Sequence, residues 1–403
     1  MTAAKDAGER AKIDRRTIPL LAATGISVTG DGAFISAAPL LAAALTRDPV
    51  QVSLVTAAVY IPWLLFGLPA GALVDRWSRK RVMVLADLFR AVVLAALVAL
   101  LVIGWASLPV LVVVVLLVGI AQCFFDSAAQ AVIPTIVGRD KDALAKVNGR
   151  YWALDTVGRS LLGPPLGSSA FGINRALPFA ADAVSFLASA LLVRRLPDTP
   201  RPDGDHEPIL SAVKAGLRHL LHTRELRVLA FSMGAYNGAF NIAMAPFVLY
   251  ATDVLDVPNA AYGVLLAMSA LGGVVAGWQA GPLTRRMSYR QTMALVHTTQ
   301  AAAWAGIAFT GNPWAAGLFL ALLGAGSSLS SVAVGSARQA LTPDHLLGRV
   351  VSAFRLFGLG LAGLGALAGG LIASTWGLTA PLVAAPIVLL IASLLTWPYK
   401  RQH

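Results

Sequence analysis

Five carboxylates, Asp31, Asp87, Asp126, Asp155 and Asp182, stand inside long apolar runs. Two of them have a cation at helical spacing: Arg90 follows Asp87 by three residues and Arg159 follows Asp155 by four. Each such pair shares one face of a helix. Asp31 is different. It lies in SVTGDGAFISAAPLLAAAL, a stretch with no other charge between Arg16 and Arg47, so no cation within four residues neutralises it. An ionisable group in an apolar run is costly, and it marks a proton path, a ligand site or a buried pair. A carboxylate away from water can cycle protons near neutral pH, and it can also attract a cationic ligand. Catalytic chemistry has no such support. No metal-ligand spacing, nucleophile triad or phosphate loop occurs, so neither an enzyme nor a cofactor or metal is expected.

Composition identifies the elements that must hold these groups. The 403 residues are 57% hydrophobic and 13% charged, with mean hydropathy +0.71; soluble domains carry about 25% charged residues. Most of the chain must face lipid or other apolar helices, as in a polytopic membrane protein. The single cysteine, Cys123, lies in an apolar run and permits no intrachain disulfide.

Twelve segments are long and apolar enough to span a bilayer, which takes about 20 residues. They lie near 18–45, 50–74, 83–104, 108–134, 147–169, 173–193, 228–252, 260–283, 291–310, 314–337, 350–375 and 377–398. The layout is a tail at 1–17, a six-helix bundle at 18–194, a linker with an amphipathic helix at 195–226, a second bundle at 227–398 and a tail at 399–403. With the N-terminus inside, 27 of the 32 Lys and Arg fall on the cytoplasmic side and 2 outside. This positive-inside pattern puts both termini in the cytoplasm and explains the net charge of +12 without nucleic acid. The halves echo one another. GALVDRWSRKR begins at Gly71 and GPLTRRMSYRQ 210 residues later; Pro134 and Pro343 both end a fourth span. Repeated halves of this kind place a transporter's substrate site near the midplane.

GALVDRWSRKR resembles the loop signature of the major facilitator superfamily. Gly71 would allow close helix approach, and Asp75 would form a gating latch with a neighbouring helix N-terminus or with Arg76 and Arg79. Ser78 stands where the family favours glycine, and Arg285 replaces the acid in the second copy. In the fifth span, Gly149, Gly158 and Gly163 lead into Pro164, Pro165, Leu166 and Gly167, similar to the antiporter signature of superfamily exporters. Gly158, Gly163 and Gly167 would give close packing, and Pro164 a bendable backbone. KRVMVLADLFRA, AVKAGLRHLLHTRELRVL and TPDHLLGRVVSAFRL look like the branch holding macrolide efflux proteins and the enterobactin exporter.

The resemblance implies an all-α membrane protein with twelve transmembrane helices in two pseudo-symmetric six-helix halves. It implies proton-coupled antiport of amphiphilic small molecules such as antibiotics, siderophores or secondary metabolites across the cell membrane, by a monomer whose partners are substrate, protons and lipid. A nutrient symporter or uniporter would share the fold. First and fourth spans line the cavity in this superfamily, which makes Asp31 and Asp126 candidates for proton or substrate, with Asp155 and Arg159. The arginine usual in span four is absent from LVGIAQCFFDSAAQA. Asp87 and Arg90 are read as a pair near the cytoplasmic end of span three, beside the latch. Asp182 and His297 are read as packing groups, and Tyr60, Trp63, Phe125, Tyr236, Asn237 and Asn241 as possible cavity lining.

Overall fold

A computed structural model describes residues 17–74, 76–138, 140–197 and 209–396. The described chain is helical throughout. The first half comprises α1 (Ile18–Leu45), α2 (Pro49–Val74), α3 (Arg79–Val102), α4 (Leu108–Val137), α5 (Lys141–Asp155), a π-helical turn (Thr156–Leu162), α6 (Gly163–Ile173) and α7 (Leu177–Val193). An amphipathic helix, α8 (Ile209–His222), precedes the second half: α9 (Arg224–Met244), α10 (Phe247–Asp253), α11 (Asn259–Arg286), α12 (Tyr289–Phe309), α13 (Pro313–Leu341), α14 (Asp344–Trp376) and α15 (Ala380–Thr396). α5, the π turn and α6 form one rod, the fifth span. α9 and α10 together form the seventh, interrupted at Pro246, which lacks a backbone N–H. The chain is a multi-pass membrane protein of twelve spans, as the apolar runs require.

The span boundaries follow local chemistry. The third span starts at Arg79 rather than 83 and the fifth at Lys141 rather than 147, because a helix can extend past the bilayer once its first turn is polar. Asp140 caps α5 by accepting the Ala143 N–H at 2.8 Å, a favoured N-terminal arrangement. Ser288 and Gln291 close a capping box at α12. Leucines such as Leu85 and Leu394 are exposed and form the surface that lipid covers.

The halves repeat one packing scheme. α2 packs on α4 as α11 packs on α13; α3 packs on α7 as α12 packs on α15. Between the halves the main contacts are α2 with α14 and the fifth span with α11. At one end the halves are closed together. Arg47 meets Asp253 at 3.0 Å, and the Ser168 hydroxyl donates to the Ala260 carbonyl at 2.9 Å. Towards the other end the contacts between α2 and α14 run on to Gly360 beside Leu64 and Arg355 over Trp63. There α8 lies against α14, with Gly216 on the backbone of Arg349.

Candidate functional site

The site begins where α1 meets the fifth span. Gly32 faces the backbone carbonyls of Gly158 and Arg159, and Gly163 faces Gly32 itself; a Cβ at either place would collide with main chain. The two backbones therefore touch, and the Ser36 hydroxyl fastens them by donating to the Pro164 carbonyl at 2.9 Å. Pro164 offers no N–H to the preceding turn, and a π turn stands immediately before it. Such turns recur at functional sites. This one carries Arg159.

Arg159 extends from the π turn to two acids. Its Nη2 lies 3.2 Å from Asp31 Oδ2 and its Nε 3.1 Å from Asp155 Oδ1. Arg90, on α3, approaches Asp31 from the other side at 3.7 Å. Arg90 also pairs with Asp87 and donates to the side-chain carbonyl of Gln122. Its guanidinium lies between the rings of Phe186, at 3.9 Å, and Phe125, at 4.7 Å, where cation–π attraction adds to the pairing. The Gln122 amide in turn donates to Asp126 at 2.8 Å. Asp182 is buried against Gly30 and accepts the Ser185 hydroxyl at 3.0 Å. The first, third, fourth and fifth spans thus contribute to one ionic cluster centred on Asp31, with Asp182 of the sixth at its back.

The cluster opens onto a central cavity of about 1240 Å³ between the halves. Asp31, Gln122, Asp126, Asp155 and Arg159 lie on its first-half wall, with Tyr60, Trp63 and Trp152; Asn241, Trp278 and Arg355 face them from the second half. The Tyr60 hydroxyl donates to Asn241 at 2.7 Å and ties the two walls together. A side chamber of about 420 Å³ continues past Trp63, Gly71, Asp126, Gln130 and Arg355. The mix is that of a small-molecule pocket: largely apolar, with a few convergent polar groups.

The structure revises several sequence expectations. Asp31 does have counter-charges; they come from spans three and five, not from its own helix. Asp87 and Arg90 pair, but the pair belongs to the Asp31 cluster rather than to the loop after Val74. Among the described residues Gly71 makes no close helix contact, since a Cβ there would meet none of them within 4 Å. Phe125 and Tyr236 are buried, the former against Arg90 and the latter stacked on Phe240. Asn237 turns its amide to the Met233 carbonyl and does not line the cavity. Tyr60, Trp63 and Asn241 do. Gly158 meets Val28 and Thr29, and Gly167 meets Ala33 and Ser36, all on α1. His297 is buried beside the Ser232 hydroxyl at 3.3 Å. Asp75 lies outside the described residues; Arg76 is exposed, and Arg79 donates to the Ala131 carbonyl of α4 at 2.9 Å. Gln122 and Arg355 were not singled out in the sequence. Gln122 could have been found from its spacing to Asp126, and Arg355 from its position in an apolar span.

Two six-helix halves around a central cavity, with ionisable groups buried at mid-span, define a secondary transporter. The chain matches the family model of the Major Facilitator Superfamily over residues 20–364 and belongs to that superfamily. Multidrug efflux pump Tap of Mycolicibacterium fortuitum is 29% identical over 373 residues, 90% of each chain. Enterobactin exporter EntS of Salmonella choleraesuis is 29% identical over 341 residues, 81% of this chain and 78% of that one. Among solved structures, a point mutant of the nucleoside transporter NupG superposes with a TM-score of 0.80 at 12% identity, covering 95% of this chain and 99% of the other. A bacterial homologue of the iron transporter ferroportin, in an inward-facing state, gives 0.76 at 17% identity over 96% and 98%. These likenesses agree with the drug-efflux branch of the superfamily.

Proposed function

We propose that the chain exports amphiphilic small molecules across the cell membrane in exchange for protons, by alternating access. The observation that carries this reading is the charge balance around Asp31. Among the described residues, Asp31, Asp87, Asp126, Asp155 and Asp182 share only two guanidinium groups, those of Arg90 and Arg159. An uncompensated buried charge costs several kcal/mol, so protons take the place of the missing cations. Asp126 and Asp155 face the cavity, where a proton and a ligand can exclude one another. Coupling follows if the proton binds the two access states with different affinity.

The relatives named as a multidrug pump and an enterobactin exporter support efflux over uptake. The one-sided distribution of Lys and Arg supports cytoplasmic termini, which would make the end opposite Arg47–Asp253 the cytoplasmic one. Substrate then enters from the cytoplasm or inner leaflet, and the loop holding Asp75 acts as a latch at that end. The working unit is a monomer in the bilayer, with substrate and protons as its other partners.

Transport in proteoliposomes under an imposed pH gradient tests the reading, with ethidium as the amphiphilic probe. The expected result is uphill movement of the dye against the proton flow, abolished by a protonophore. Dye movement in the same direction as protons would establish a symporter, and downhill movement indifferent to the gradient a uniporter.

A further inference from the structure

Arg355 is the charged group that the Asp31 cluster leaves aside. It projects from α14, in the second half, into the cavity and the side chamber, with its guanidinium 4.3 Å from the centre of the Trp63 ring on α2. Among the described residues no ion pair holds it. Asp126 faces the same two spaces from α4, in the first half. Its hydrogen bond comes from the neutral amide of Gln122, and among the described residues no ion pair holds it either. An acid on one half and a base on the other thus line the same two spaces between the halves.

We propose that Arg355 and Asp126 form an ion pair between the halves when the end opposite Arg47–Asp253 closes, and that the pair forms only while Asp126 is ionised. This rests on the exporter reading and assigns its coupling step to particular groups. The sign suits exchange. With Asp126 ionised, the pair stabilises the state closed at the α4 and α13 ends and open at the Arg47–Asp253 end. A proton arriving from that side neutralises Asp126, releases Arg355 and returns the protein to the state described here. The other groups acting on Asp126 are Asp31 on α1, Arg90 on α3, Cys123 on its own helix, Tyr151 on α5 and Arg159 on the π turn. All of these lie in the first half and move with Asp126. Of the groups named, Arg355 alone changes distance as the halves rock.

The test is conformational and needs no substrate. Spin labels at the exposed positions Thr135 and Gln339, near the ends of α4 and α13, report the gap by double electron–electron resonance in a Cys123→Ala background. As pH rises, the ratio of closed to open populations should increase by up to about tenfold per pH unit, the limit for one proton. Asp126→Asn and Arg355→Gln should each abolish the response, their combination should add nothing further, and Arg355→Lys should keep it. A full response in Arg355→Gln, additive effects in the double variant, or loss in Arg355→Lys would overturn the pair. Dye transport in proteoliposomes reports separately on the exporter reading, so either can fail without the other.

Discussion

Arg159 and Asp31 meet at 3.2 Å although 128 residues separate them in the chain. The contact exists because α1 and the fifth span touch backbone to backbone at Gly32 and Gly163. Asp31→Asn removes the acid that both Arg159 and Arg90 face. Breaking a buried pair from one side costs about 3–5 kcal/mol. Part is recovered here, because Arg90 retains Asp87 and Arg159 retains Asp155. We expect a loss of about 2–3 kcal/mol, seen as a lowered Tm by tryptophan fluorescence in detergent, together with loss of gradient-driven transport. An unchanged Tm would remove Asp31 from the cluster's framework.

Gly163→Ala and Gly71→Ala should part company. At Gly163 the new methyl meets the α1 backbone, and overpacking of this kind costs about 1–3 kcal/mol. Transport and Tm should both fall. At Gly71 the methyl meets none of the described residues within 4 Å, and alanine is the better helix former by about 1 kcal/mol. The variant should be at least as stable as the parent and should transport normally. The same Tm and dye-flux measurements check both.

Tyr60→Phe deletes the hydrogen bond to Asn241 that joins the halves. Such a bond is worth about 1 kcal/mol, roughly a fivefold population change. The variant should shift by that factor away from the state closed at the Arg47–Asp253 end, as read by distance measurement between the halves. Arg47→Gln should shift it far less. That pair is largely exposed, at 65% and 39% of the two side chains, and exposed pairs contribute about 0–1 kcal/mol before screening by salt.

Orientation is checked by labelling in a Cys123→Ala background. Asn174→Cys, exposed between α6 and α7, should react with an impermeant maleimide on intact cells. Ser288→Cys, at the cap that precedes α12, should react only after permeabilisation. The reverse pattern would invert the topology.

The spans were legible because the length and apolarity needed to cross a bilayer are local properties. The Asp87–Arg90 and Asp155–Arg159 pairs were legible for the same reason, since helical geometry fixes neighbours at three and four residues. What was not legible is which helices touch. The glycines at 158, 163 and 167 announced close packing but not that α1 was the partner. Without that, Asp31 read as an acid with no counter-charge. Phe125 is instructive as well. Its type suits a cavity wall, but its place on the helix turns it towards Arg90. The π turn had no sequence signal of its own beyond the proline that follows it.

The ionic cluster has a further consequence. Every member belongs to the first half; the second half supplies Arg355, and its buried His297 lies against Ser232. The two halves repeat one packing scheme, so under the proposed exchange the two access states would resemble exchanged arrangements of similar shape. The electrostatics break that likeness. One half carries the charge and the other forms mainly a wall around it, so under the proposed exchange two states of comparable form would respond differently to acid. In that proposal a duplicated scaffold would supply reversibility, and a one-sided charge distribution direction.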